Sequence, residues 1–288
     1  MQSRKLLNVL LLVTVVILLW ATTQTPVDKN PNPESPIFND PSLKTADITR
    51  IRLQHPNRET LSLQHSDQQW RLELPRVLPA DLSRIQQLLK ITSVTSSSGF
   101  RAAGNDLSQY GLNPAKATLW LNDNQLDVGD REPLSGKRYV RLRDQVHLID
   151  DQWSGLLFAG VYEYVSPRLL PEESKPIMLQ LPQVRWVYHS EPGEWQRQPK
   201  LQDSDEDSDE TDGATLAMNW SQAKALLVQS FKPTLPWQGN IRIAIQSRSQ
   251  EFIFEFAESD SGVYLARRDL GLQYLISKAD ATSLLGKR

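Results

Sequence analysis

"SGKRYVRLRDQVHLID", residues 135–150, is echoed by "SGVYLARRDLGLQYLI", residues 261–276. Each begins with Ser-Gly, sets a tyrosine beside an aliphatic residue (Tyr139-Val140, Tyr264-Leu265), carries an Arg-Asp step (Arg143-Asp144, Arg268-Asp269) and ends on aliphatics. Outward from this pair, the flanking stretches run through one order of features. Before the first copy, Ile51 and Leu53, then Leu61 and Leu63, then Trp70, Leu72 and Leu74 alternate as half-buried strands do. "PADLSRIQQLLKI" follows, with Asp81 placed to accept from the first-turn amides of a helix whose apolar face is Leu82, Ile85, Leu88 and Leu89. "ATLWLNDNQLDVG" (117–129) predicts a hairpin bent at Asn-Asp-Asn.

Before the second copy the order repeats. Residues 176–198 predict strands that end at Trp195, as the earlier set ends at Trp70. Asn219 is expected to cap a helix through "WSQAKALLVQSF", with Trp220, Ala223, Leu226 and Leu227 on its apolar face. Ile241, Ile243, Ile245 and then Phe252, Phe254, Phe256 alternate as a strand pair, and "SGLL" (154–157) is answered by "TSLL" (282–285). The expected class is α+β: two tandem repeats, 45–165 and 166–288, each of antiparallel strands packed with one helix. The second carries an acidic loop insertion at 201–213. Its Asp203, Asp205, Asp207 and Asp209 alternate, but position six from Asp203 is Ser208 and position twelve is Ala214, where an EF-hand needs glycine and glutamate. The run reads as a solvated loop.

A formal net charge of −2 over 288 residues supplies no basic field, so nucleic-acid binding is not expected. The absence of cysteine excludes disulfides, thiol nucleophiles, cysteine-held metals and a lipidated cysteine. At the N-terminus Arg4 and Lys5 precede the apolar run 6–21, closed by the interfacial aromatic Trp20. Residues 1–21 read as a cytoplasmic tip and a transmembrane anchor. Leu19-Trp20-Ala21 is a poor cleavage site, which favours an uncleaved single span over a removed signal peptide. Residues 22–44, with five prolines, read as a Pro-rich linker. The expected address is the bacterial inner membrane, single-pass, with most of the chain in the periplasm.

Catalytic signatures are missing. His55, His65, His147 and His189 lack the spacing of a helical zinc site, and there is no nucleophile elbow, phosphate loop or dinucleotide fingerprint. Asp47, Asp81, Asp144 and Asp269 read as caps and turn residues. No enzyme activity, metal or cofactor is expected. Of eight tryptophans, Trp70, Trp120, Trp195 and Trp220 fall at core-facing or strand-end positions, whereas Trp237 sits between breakers in "KPTLPWQGN" and is a candidate for contact with a partner.

Three motifs, Tyr110-Gly111-Leu112 with Pro114, Leu126 to Gly129, and Arg138 to Ile149, make residues 106–150 similar to one family. The segment resembles the bacterial domain-of-unknown-function family four-three-four-zero, whose members share a "YGL-x-x-P" turn, a "L-x-V-G" strand end and a "RYVR…D-x-V-x-L-I" closing hairpin. The likeness extends over the anchor and the first repeat, and reaches the second only through its pattern, where the "YGL-x-x-P" element is absent. The resemblance implies an N-terminal membrane anchor, genes beside those of gliding-type ABC transporters, and no established catalytic residues. Tyr110 and Gly111 join Trp237 as candidate contact residues. The expected function is a membrane-anchored periplasmic binding or scaffold protein, accessory to an ABC-transporter-type envelope complex. The alternative is a cell-wall glycan-binding module, motivated by the tryptophans.

Overall fold

The computed structural model describes residues 36–38, 44–198 and 212–286. The apolar run 6–21, most of the linker and the acidic residues 203–211 lie outside them. Among the described residues no helix is long and apolar enough to cross a membrane.

Strands β1 (Arg50–Gln54), β2 (Leu61–Ser66), β3 (Gln69–Leu74) and the short β4 (Leu78–Pro79) lead to helix α1 (Leu82–Leu89). Then come β5 (Ser98–Arg101), β6 (Ala117–Leu121), β7 (Asn124–Arg131), β8 (Arg138–Leu142), β9 (Gln145–Ile149) and the one-turn α2 (Ser154–Leu157). A similar succession follows: β10 (Pro176–Gln180), β11 (Arg185–His189), β12 (Glu194–Gln198), α3 (Gly213–Gln222), β13 (Leu227–Ser230), β14 (Gln238–Ile245), β15 (Phe252–Ser259), β16 (Gly262–Arg267), β17 (Leu272–Ile276) and α4 (Lys278–Leu285). Antiparallel strands in two sheets with a few helices make the fold α+β.

The chain divides into two compact units, one of residues up to Ile48 with Lys90–Trp153, the other of Thr49–Leu89 with the residues from Ser154 onward. Within the first, strands run in the order β6-β7-β8-β9-β5. The second holds the run β4-β3-β2-β1 and the sheet β12-β11-β10-β14-β15-β16-β17-β13. Strand for strand, β3-β2-β1 corresponds to β12-β11-β10, and β6-β7-β8-β9-β5 to β14-β15-β16-β17-β13. In both, the strand after the helix travels to the far edge and pairs with the last strand. The echoed hairpins coincide in register: Tyr139 faces Leu148 as Tyr264 faces Leu275, and Val140 faces His147 as Leu265 faces Tyr274.

Alternation explains the packing. Leu119, Leu126, Val128 and Val140 are fully buried in the first unit, as are Ile241, Ile243, Phe254 and Leu265 in the second. The hairpin β6–β7 closes through Asn122-Asp123, with Asn122 at φ 52°, a conformation that asparagine tolerates. Asp81 accepts from the amides of Ser83 (2.9 Å) and Arg84 (3.3 Å), capping α1 as the sequence suggests. Ile85, Leu88 and Leu89 are buried, while Leu82 is exposed. Leu74 is also half exposed, because an extra residue in β3, between the partners of Ser62 and Leu63, breaks the alternation there. In the segment read as linker, Ile37 and Phe38 are buried, and the Ile37 amide donates to the Val94 carbonyl (2.9 Å).

The helix of the second half begins earlier than its sequence suggests. Asp212, not Asn219, is the N-cap: its carboxylate accepts from the Thr215 amide at 2.8 Å. Starting there puts Leu216, Ala217 and Trp220 on one buried face, and the helix stops before Ala223, whose backbone is extended. Leu226 and Leu227 therefore leave the helix and are exposed beside or within β13. Asn219 lies inside α3 and donates to the Ser283 carbonyl of α4 (2.9 Å). Trp220, with no exposed surface, packs 5.5 Å from the Phe254 ring and donates to the Leu284 carbonyl (2.9 Å), so α3, α4 and the sheet share one core. Gly213 permits the approach: a Cβ there would lie 2.7 Å from the Trp186 ring and 2.9 Å from Trp195 Cβ.

The Thr215 amide holds the Asp212 carboxyl below its ordinary value. A depressed carboxyl contributes stability that is complete above the unfolded value of about 3.9 and is lost as pH falls through the lower folded one. Asp212→Ala should cost about 1 kcal/mol at pH 7 by denaturant titration. The gap from the parent protein should begin to narrow as pH falls below about 4.

Candidate functional site

At one end of the five-stranded ladder, the three family motifs meet. The "YGL-x-x-P" turn begins as a 3-10 helix (Leu107–Tyr110) capped by Asp106, whose carboxylate accepts from the Ser108 amide (3.0 Å) and hydroxyl (2.7 Å). Gly111 ends it at φ 65°, the left-handed conformation that glycine adopts without strain. A Cβ on Gly111 would also collide with the Asp130 carboxylate and lie 2.9 Å from its amide nitrogen. Gly129 is constrained from the other side, since its Cβ would strike the Tyr110 carbonyl oxygen and lie 2.9 Å from Leu112 Cγ. Two glycines thus let the turn rest directly on the end of β7.

Arg138, first residue of β8, ties the same place together. Its Nη1 donates to the Gly129 carbonyl (2.7 Å), while Nε and Nη2 donate to the two carboxylate oxygens of Asp151 (2.5 and 3.0 Å). Both side chains are mostly buried, at 12 % and 14 % exposure, so the forked geometry acts in a partly desolvated setting. The sequence pattern "RYVR…LID-D" therefore encodes a clamp between the start of β8 and the segment after β9.

Tyr110 is half-buried, its ring 5.0 Å from Phe100 and 4.8 Å from Tyr139. Burial, then the neighbouring Glu132 charge, raises the Tyr139 phenol above its ordinary value, so it stays a neutral donor. Glu132 opens the β7–β8 loop. Its carboxylate accepts from the Leu134 amide (3.1 Å) and from the Ser135 amide and hydroxyl (both 2.5 Å), bonds that hold its own pKa down. The Glu132 amide donates to Lys137 (2.7 Å), the Gly136 amide donates to Glu132 (2.9 Å), and Arg131 Nε donates to the Gly136 carbonyl (2.8 Å). On this hydrogen-bonded frame Leu134 stands 96 % exposed, the most exposed large apolar side chain among the described residues. The equivalent connection β15–β16 is only the turn Asp260-Ser261, between the paired Ser259 and Gly262.

Sequence reasoning pointed to Tyr110 and Gly111 and missed Leu134. A lone leucine in a polar turn is ordinary in sequence, and only the hydrogen bonds around it set it apart. Trp237 lies in the other unit, in the β13–β14 connection that corresponds to the one carrying Tyr110. Its ring is half-buried, 5.2 Å from Phe231, and its Nε1 donates to the Lys232 carbonyl (2.9 Å). The structure brings Tyr110 and Gly111 together with Leu134's loop, and leaves Trp237 in a separate aromatic pair.

Gly129→Ala should lower stability by about 1–3 kcal/mol, because the Tyr110 backbone carbonyl that its Cβ would strike cannot yield cheaply. Gly155→Ala, where a Cβ meets nothing within 4 Å, should leave the melting temperature unchanged or raised. Thermal unfolding of the two variants side by side makes the comparison.

A family model described as "Domain of unknown function (DUF4340)" matches residues 70–233, from Trp70 in β3 to Pro233 just past β13. The match starts beyond the N-terminal apolar run, covers all three motifs and continues well into the second half, farther than the motifs alone reach. No curated protein and no solved structure matches the chain. With more than half of its length matched, the chain belongs to the DUF4340 family.

Proposed function

We propose that this protein is a membrane-anchored envelope protein that binds or scaffolds a protein partner, without enzyme activity. Residues 6–21 form its single inner-membrane span, 22–44 its linker, and the remainder faces the periplasm, accessory to an ABC-transporter-type complex. In this reading its two halves arose by duplication of one antiparallel unit with a helix, which the matched strand orders and the coinciding hairpin registers support. The span is supported by the length and apolarity of 6–21 behind Arg4 and Lys5.

The observation that carries the partner reading is Leu134. A leucine at 96 % exposure gains nothing from folding, yet a network of backbone and carboxylate hydrogen bonds fixes where it stands. Seating it in an apolar pocket of another protein contributes about 1.5–3 kcal/mol, and a loop already ordered loses little entropy on docking. The half-buried ring of Tyr139, close to Glu132, extends that contact surface.

The test is site-specific photocrosslinking in intact membranes with the probe at position 134. One defined membrane partner should be captured there and not with the probe at Met218, exposed on α3. Leu134→Asp should reduce co-purification of that partner at least tenfold while leaving the melting temperature unchanged. Equal crosslinking from both positions, or undiminished co-purification, contradicts the reading.

A further inference from the structure

At the opposite end of the same ladder, the turns Asn122-Asp123 and Arg143-Asp144 border a groove of about 350 Å³, lined by Leu142 and by the polar Asp123, Asn124, Gln125, Asp127, Arg141 and Arg143. Its floor is a cross-strand row in register, Thr118 opposite Asp127 opposite Arg141. Asp127 is only 4 % exposed. One carboxylate oxygen accepts from Thr118 Oγ1 (3.1 Å) and Gln125 Nε2 (2.8 Å), and the other from Arg141 Nε (3.0 Å) and Nη2. That fills the acceptor capacity of the carboxylate, so Asp127 is a fixed support and not a base or ligand group. Arg141, pinned along one edge, keeps Nη1 without a hydrogen-bond partner among the described residues.

The remaining polar side chains of the lining offer both donors and acceptors: Arg141 Nη1 donates, the Asp123 carboxylate and Gln125 Oε1 accept, and the Asn124 amide does both. Charge is balanced, Asp123 and Asp127 against Arg141 and Arg143. A carboxylate or phosphate ligand only accepts and would face Asp123. An ammonium only donates and would face two arginines. A sugar hydroxyl both donates and accepts, and vicinal hydroxyls span neighbouring planar side chains. Trp120 stands directly opposite Gln125 on the same face of the ladder and is half-buried.

We propose that this groove is a saccharide subsite that takes a neutral sugar of a glycan chain. It lies at the other end of the strands from Leu134, so this binding and the protein contact stand or fall separately. Arg141 supplies its donor ready-oriented, because Asp127 has already fixed the side chain.

The full-length chain in detergent is titrated calorimetrically with three probes: the β-1,4-linked trimer of N-acetylglucosamine, maltotriose, and the acidic trigalacturonate. At least one neutral trimer should bind and quench tryptophan fluorescence, with trigalacturonate at least tenfold weaker. Asp123→Ala in the exposed turn and Asn124→Ala at the start of β7 should each weaken the neutral sugar about tenfold with little change in melting temperature, while Leu134→Asp leaves it unaffected. Silence with both neutral sugars overturns the proposal, as does preference for trigalacturonate or equal affinity in Asn124→Ala and Asp123→Ala.

Discussion

Direct contact between two stretches of backbone governs the motif-bearing end of this protein. Gly111 and Gly129 have no room for a Cβ, because each faces main chain or a carboxylate of the other segment. Once the Tyr110 turn rests on β7, the Gly129 carbonyl is placed for Arg138, and Arg138 in turn reaches Asp151. The loop between β7 and β8 then departs from fixed ends, and the Glu132 carboxylate closes it upon itself. Leu134's position is the last link in that chain of constraints, which is why a side chain with no burial of its own has a defined place.

The corresponding strands of the second half carry the same hairpin register with different connections. Where the first half spends a hydrogen-bonded loop between β7 and β8, the second turns through Asp260-Ser261. Where the first has the Tyr110 turn, the second has the Phe231–Trp237 pair, with Arg268 over the Phe231 ring at 4.8 Å and paired to Glu255. Connections vary more readily than ladders, since a changed loop leaves the alternating core untouched. If one unit was used twice, its copies were free to diverge at these sites, and the proposed contact and sugar groove both sit on connections of the first.

Much of the fold was legible because its signals are local. Alternation located the buried faces of β1, β2, β14 and β15, Asp81 announced α1, and Asn122-Asp123 announced a hairpin turn. The echoed tyrosines foreshadowed equivalent positions in two ladders. The start of α3 was misread because its capping aspartate closes a run of acidic residues and looks like one more of them, while Asn219 offers an equally good capping side chain. Leu226 and Leu227 then fitted a helical spacing by accident. The Arg138–Asp151 and Arg141–Asp127 pairs were invisible for another reason: one joins β8 to the segment after β9 and the other joins β8 to β7, and only register brings the partners together. The same holds for the groove, whose lining comes from β7, β8 and the turns at their ends.

Leu134 is a preformed contact only if the β7–β8 loop is rigid in solution. Backbone order parameters for Leu134, Ser135 and Gly136, from nitrogen-15 relaxation, test this most directly. A fixed display predicts values close to those of the flanking strands, about 0.85, whereas values below about 0.6 would mean that the loop samples many shapes and that Leu134 is no preformed contact.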